Sequence, residues 1–278
     1  GQRRPQAVVD PADALAELLA PAIALASDGF AASPLLVGAL RSVDATAAAN
    51  LAALAGATRT GARVWLPAVA RTLGAIAAGG HTAFYEGEFG TGLMALGGGL
   101  FGATDLERSQ ADWFEPLTTA AFGVDLHTIP PNSQGYLTLG ASNLATGVGL
   151  PDDPDDPQWA HLLIECATAA GFDRPDVLHD AAGGRALLAA IESRIGLIDR
   201  ERASVRPGPT AAGDTTYLCT VDRNGMGVSL IQSNAAGFGS WLAEPNTGIN
   251  LHNRGLGFSL TPGHRAEYSP GRRPPHTL

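Results

Sequence analysis

The sequence predicts an α+β chain in which helices precede an antiparallel sheet. Two patterns predict it. From about Leu15 to Ile195, apolar residues recur at helical spacing between Pro and Gly punctuation. After a stretch rich in Pro and Gly at Val205 to Ala212, the period drops to two. Thr215, Tyr217, Cys219 and Val221 alternate with Thr216, Leu218 and Thr220, a set of β-branched, aromatic and small residues. Asp222 to Gly225 supplies a turn, and Val228 to Ser233 a second strand, so this unit is a β-hairpin.

The totals bound the function classes. With 278 residues, 45% of them apolar and 16% charged, the chain is globular and long enough to bury one or two cores. A net charge of -9 argues against nucleic acid or an anionic membrane as partner. All 18 basic residues are arginine, which together with abundant Ala and Gly reads as a coding bias. The two cysteines, Cys166 in a helical stretch and Cys219 in a strand, are expected to be buried small hydrophobes. No apolar run reaches membrane-spanning length. Gly1 to Pro5 is not followed by the apolar segment of a signal peptide, so the compartment stays open with the cytoplasm favoured.

In chain order, Asp10-Pro11 reads as an N-cap and first helical residue, with Pro21 breaking or restarting that helix and Gly29 ending it. A helix is expected from about Val43 to Ala55. Another opens at Pro67 and closes at Gly79-Gly80, and Ala83 to Glu88 forms an aromatic anchor between helices. Gly97-Gly98-Gly99 lacks the following Lys-Ser/Thr of a phosphate-binding loop. A strand follows at Val124 to Ile129. The rigid turn Pro130-Pro131-Asn132-Ser133-Gln134-Gly135 then starts a helix near Tyr136. The acidic run Asp152 to Asp156 is a solvated loop, since its prolines do not suit a calcium loop. His161 and Glu165 stand four apart on a helix from Trp159 to Ala170, a spacing that fits a local contact better than a metal. A further helix covers Ala182 to Ile195. No metal site and no cofactor are expected.

The chemistry concentrates at Gly213-Asp214-Thr215-Thr216. Two threonines opening a strand are ordinary β chemistry on their own. Thr215 would become a nucleophile if its own α-amine were freed to act as base. The longer string carries Gly237-Phe238-Gly239, Asn253-Arg254-Gly255-Leu256-Gly257-Phe258-Ser259, Pro262-Gly263-His264 and Gly271-Arg272-Arg273-Pro274. Together these residues resemble the γ-glutamyltransferase family of N-terminal nucleophile hydrolases, around its self-cleavage point and the start of its small subunit.

The resemblance implies an incomplete αββα sandwich and two chain portions. Residues 1–214 would be large-subunit-like and end in a linker, and residues 215–278 would begin the β-rich small subunit. It implies scission between Asp214 and Thr215, with Thr215 as nucleophile, Thr216 orienting it and Ser233 beside its amine. The alternative for Thr216 and Ser233 is a strand hydroxyl satisfied by backbone. Asn253, Arg254, His276 and Thr277 would line the substrate site. The implied substrate is a γ-glutamyl or other acyl amide, with water or an amine as acceptor, in the setting of glutathione metabolism. Partners would be the remaining subunit segments or a second copy.

Two departures shift that expectation. Arg254 and Gly257 stand where γ-glutamyl transferases hold the substrate's amino group, and His276 and Thr277 stand where paired serines are usual. Arg254 suits a carboxylate and leans towards an acylase with a different acyl group. The family's oxyanion-hole glycines and donor-binding arginine are not among these residues, so the chain is expected to be part of a longer protein or a non-catalytic remnant.

Overall fold

The computed structural model describes residues 11–109, 111–205 and 215–277, with the side chains of residues 11–13 left aside. The expected cap at Asp10, most of the linker at 205–212, and Asp214 lie outside them. The chain divides into two compact units, residues 1–112 with 238–252, and residues 113–237 with 253–278.

The first unit is mostly helical. Helix α1 spans Pro11–Asp28 and runs through Pro21 rather than breaking there. Pro21 is exposed, so the carbonyl deprived of its helical donor can be met by water. Gly29 ends α1 at φ 82°, and a Cβ there would lie 2.9 Å from the Trp65 ring and the Val64 carbonyl. Strands β1 (Phe30–Ala31) and β2 (Arg63–Val64) pair antiparallel. Between them lie α2 (Pro34–Arg41) and α3 (Ala45–Asn50). Ser33 caps α2 by accepting the Leu36 N–H at 3.0 Å, and Asp44 caps α3 by accepting from Thr46 and Ala47. The helix expected over Val43 to Ala55 is therefore shorter, and its end is a 3₁₀ turn at Ala52–Leu54.

Helix α4 (Pro67–Tyr85) packs on α1 and is interrupted where the Gly pair predicts. Gly80 sits at φ 61°, ψ -145°, outside helical space, and one more helical stretch follows it. Phe84 stacks on Phe89 at 4.3 Å and meets Tyr85 edge-on at 4.9 Å, which is the expected aromatic anchor. Phe89, Leu93 and Leu106 bury this cluster between α4, α5 (Glu88–Leu96) and α6 (Ala103–Glu107).

The second unit opens with the hairpin β3 (Leu117–Ala121) and β4 (Val124–Thr128), paired from Leu117 opposite Thr128 to Ala121 opposite Val124. Only β4 was expected from the sequence. Leu-Thr-Thr-Ala-Ala carries little alternation, and pairing with β4 makes it a strand. Helix α7 (Tyr136–Val148) begins directly after the Pro-Pro turn, as predicted. It packs against α8 (Pro157–Gly171), α10 (Gly184–Glu192) and β3. Tyr136, Leu139, Leu144, Cys166, Leu178 and Ile191 form the centre of this core. The short α9 (Arg174–Val177) follows α8.

On α8, His161 Nε2 lies 2.8 Å from the Asp199 carbonyl, and Glu165 Oε1 accepts the Ser204 N–H at 2.9 Å. The pair thus ties the helix to residues 199–204. Among the described residues no group of three or more His, Cys, Asp or Glu is arranged to hold a metal, and no helix is long and apolar enough to cross a membrane. Cys166 is fully buried, and burial, with the nearby Glu165 carboxylate, pushes its thiol up to about 11. Folded protein at pH 8 is therefore expected to leave Cys166 unlabelled by a maleimide until urea is added, as read by mass spectrometry of its peptide.

Strands β5 (Thr216–Val221) and β6 (Gly227–Gln232) form the predicted hairpin. Asp222 sets its turn, accepting the N–H groups of Asn224 at 2.8 Å and Met226 at 2.9 Å. Those bonds, that from Met226 first, lower its carboxyl below the usual range. Every residue of both strands is exposed, so Cys219 is exposed rather than buried as expected. The α+β class and the order of helices before sheet hold. Among the described residues, though, the strands fall into three separate two-stranded sheets, and neither face of β5–β6 is covered.

Candidate active site

The register of β5–β6 builds the site. Thr216 opposes Gln232 and Leu218 opposes Leu230, so the next rung outward sets Thr215 against Ser233. Thr215 Oγ1 donates to Ser233 Oγ at 3.1 Å. The two hydroxyls of the sequence analysis, eighteen residues apart, are thus cross-strand partners. Thr215 is exposed. Thr216, by the alternation of the strand, lies on the opposite face and does not join this pair.

The chain after β6 is bent around Ser233. Its Oγ also accepts the Ala235 N–H at 3.0 Å, and Ala235 sits at φ 77°, a left-handed conformation unusual for a residue with a Cβ. Asn253 grips the next residue from across the unit. Its Oδ1 accepts the Ala236 N–H at 3.0 Å, its Nδ2 donates to the Ala236 carbonyl at 3.3 Å, and its own N–H donates to the Asn234 carbonyl at 3.0 Å. The resemblance implies a place for Asn253 in the substrate-lining segment; in the structure its carboxamide bonds the Ala236 backbone.

Arg254 meets a strap formed by residues 274–277, which carries His276 and Thr277. Arg254 Nη1 donates to Thr277 Oγ1 at 3.1 Å, and burial lowers the Arg254 guanidinium. Arg174 Nη2 donates to the His276 carbonyl at 2.9 Å, Gln134 Nε2 to the Thr277 carbonyl at 2.8 Å, and Asn132 Nδ2 to the Pro274 carbonyl at 2.6 Å. The His276 N–H returns a bond to the Asn132 carbonyl at 2.8 Å. The Pro-Pro-Asn-Ser-Gln turn is therefore a cradle for this strap. Ser133 is buried, and its Oγ accepts the Gly135 N–H at 3.3 Å. Sequence reading assigned no role to Arg174, which stands at the start of α9. It also gave no role to Tyr136, buried at the start of α7, whose hydroxyl burial pushes up to about 12.

Comparison with known proteins adds the family. Residues 13–278 match the gamma-glutamyltranspeptidase family. The chain belongs to it. Among curated relatives, the oxamate amidohydrolase proenzyme of Klebsiella pneumoniae subsp. pneumoniae is 34% identical over 232 residues, covering 80% of this chain and 44% of that protein. The glutathione hydrolase-like YwrD proenzyme of Bacillus subtilis is 30% identical over 219 residues, covering 76% and 42%. The crystal structure of cephalosporin acylase from Bacillus halodurans superposes with a TM-score of 0.81 at 30% identity, over 95% of this chain and 52% of that one. This gamma-glutamyltranspeptidase-family chain therefore spans about half the length of the proteins it resembles. Its fold is that of N-terminal nucleophile hydrolases, and the family is one of hydrolases and transferases.

Proposed function

We propose that this chain carries the processing point and nucleophile of a threonine amidohydrolase or acyltransferase, with Thr215 in the leading role. The observation that carries this is the Thr215–Ser233 hydroxyl pair at 3.1 Å on an exposed strand end. In the first stage, Thr215 Oγ attacks the Asp214 carbonyl carbon. The C–N bond breaks as the C–O bond forms, and the Thr215 nitrogen takes up the hydroxyl proton. Water then cleaves the ester, giving a carboxylate on Asp214 and a free amine on Thr215. Residues 1–214 and 215–278 thereby become separate portions of a processed protein.

In the second stage that amine, with an ordinary pKa of about 7.7–8.0, is the general base for its own hydroxyl. Thr215 attacks an acyl amide, expels the amine, and passes the acyl group to water or to an acceptor amine. Before scission the nitrogen is locked in a peptide bond and cannot serve. Mass analysis of the full-length protein tests the first stage, since a chain that stays intact at 214–215 removes the proposal.

The acyl group is read from Arg254. In true γ-glutamyl transferases the position holds a group that binds the donor's amine, and a guanidinium cannot do that. A carboxylate on the acyl side chain suits it. The relatives named for oxamate amidohydrolase and cephalosporin acylase activity agree with this branch, and the glutathione hydrolase-like relative marks γ-glutamyl amides as the second reading. Arg254→Leu in the processed protein is expected to lower kcat/KM for a glutaryl amide by about 10²-fold, the scale of a lost charged hydrogen bond. If glutathione is the better substrate and the variant spares it, the γ-glutamyl reading replaces the acylase one.

A further inference from the structure

The family resemblance implies a substrate-lining place for Asn253, while its observed bonds go to backbone on both sides of Ala235. The loop after β6 needs Ala235 at φ 77°, a conformation that costs an L-residue roughly 1–2 kcal/mol. Something must hold it there. Asn253 bonds the residues on both sides of Ala235: the Asn234 carbonyl through its own N–H, and both main-chain groups of Ala236 through its carboxamide. Ala235 is thus clamped between two fixed neighbours. Its N–H in turn is delivered to Ser233 Oγ at 3.0 Å, and Ser233 Oγ is the acceptor for the Thr215 hydroxyl at 3.1 Å.

We infer that Asn253 is a positioning residue for the nucleophile, acting through the strained Ala235 turn on Ser233 and so on Thr215. The inference rests on the proposed role of Thr215. A hydroxyl acceptor with two donors aimed at it has a fixed lone-pair direction. Removing the clamp lets Ala235 relax to negative φ and withdraws its N–H from Ser233, which loosens one of the bonds that orient the Thr215–Ser233 pair. Geometry of this kind governs rate more than affinity, and a displacement of about 1 Å costs on the order of 10²-fold.

The test uses full-length protein carrying Asn253→Ala, Asn253→Asp, and Asn253→Ala combined with Ala235→Gly. Two readouts are taken: the rate of scission before Thr215, and kcat and KM of the processed fraction on a glutaryl amide. Asn253→Ala is expected to slow scission and to lower kcat by about 10–100-fold with KM changed less than about 2-fold. Asn253→Asp keeps the acceptor for the Ala236 N–H and recovers part of the loss. Ala235→Gly recovers part as well, because Gly occupies φ 77° without strain and no longer depends on the clamp. That rescue separates positioning from simple unfolding, which a second destabilising change would worsen. A rise in KM with kcat unchanged makes Asn253 a substrate ligand and overturns the inference, as does unchanged scission and turnover in Asn253→Ala. A wild-type protein that never breaks before Thr215 overturns the parent reading, and the inference with it.

Discussion

Thr215→Ala leaves the full-length protein as one uncut chain and lowers acyl transfer by about 10⁴-fold or more, the scale seen when a covalent nucleophile is deleted. The side chain is exposed, and its described bond is to the half-buried Ser233 hydroxyl. Folding is therefore expected to be unaffected, with thermal midpoints of wild type and variant agreeing within a degree or two. Thr215→Ser keeps an attacking hydroxyl at the same rung and should still be cut, more slowly. The processed wild-type enzyme should gain activity as pH rises through the amine value of about 7.7–8.0, because only the unprotonated amine can accept the hydroxyl proton. Scission at the same bond in Thr215→Ala, seen by intact mass, would remove Thr215 from the mechanism.

Glu244→Gln destabilises the protein by about 3 kcal/mol, read as a lower urea midpoint at pH 7, because it turns a satisfied buried charge into a mismatched amide. Glu244 is fully buried in the first unit. Its Oε1 accepts from the Asn246 N–H and Nδ2 at 3.0 and 3.1 Å, and its Oε2 accepts from the Thr247 N–H at 2.8 Å and from the Thr247 hydroxyl. An amide at that position sets its own N–H group against the Thr247 N–H or, turned over, against the Asn246 N–H, and neither backbone donor can accept it. Gly92 packs so closely that a Cβ there would collide with the carboxylate, so the group has no room to turn away.

Burial by itself would raise the Glu244 carboxyl. The hydrogen bonds from Thr247 and Asn246 outweigh it and hold the group below its ordinary value of 4.5. A lowered folded value means that the ionised form stabilises the fold above 4.5, and that this contribution fades as pH falls through the folded value. The stability curves of wild type and Glu244→Gln should accordingly converge in acid. A gap that stays constant down to pH 3 would show that ionisation of Glu244 is not what the turn depends on.

Much of the site was legible before any coordinates. Asp222 and Gly225 announce a turn, the alternation on either side announces two strands, and Thr215 heads the first of them. Helices with a strong local signal, such as α7 behind its Pro-Pro turn, also fell where expected. Pro21 misled, because a proline on a helix's wet side leaves a carbonyl that water can serve. Cys219 misled for another reason. Strand residues are buried only if something covers the sheet, and no property of the strand itself states whether it is covered.

The sequence by itself determined the hairpin, its leading threonine and the family. Those depend on contacts within a few residues or on a string of motifs. Only the tertiary structure shows what Asn253, Arg254, His276 and Thr277 touch. Asn253 reaches back seventeen residues to Ala236, and Gln134 reaches ahead 143 residues to Thr277. Both of these side chains meet main-chain groups, which every residue carries, so no side-chain pattern could have marked which ones would be met.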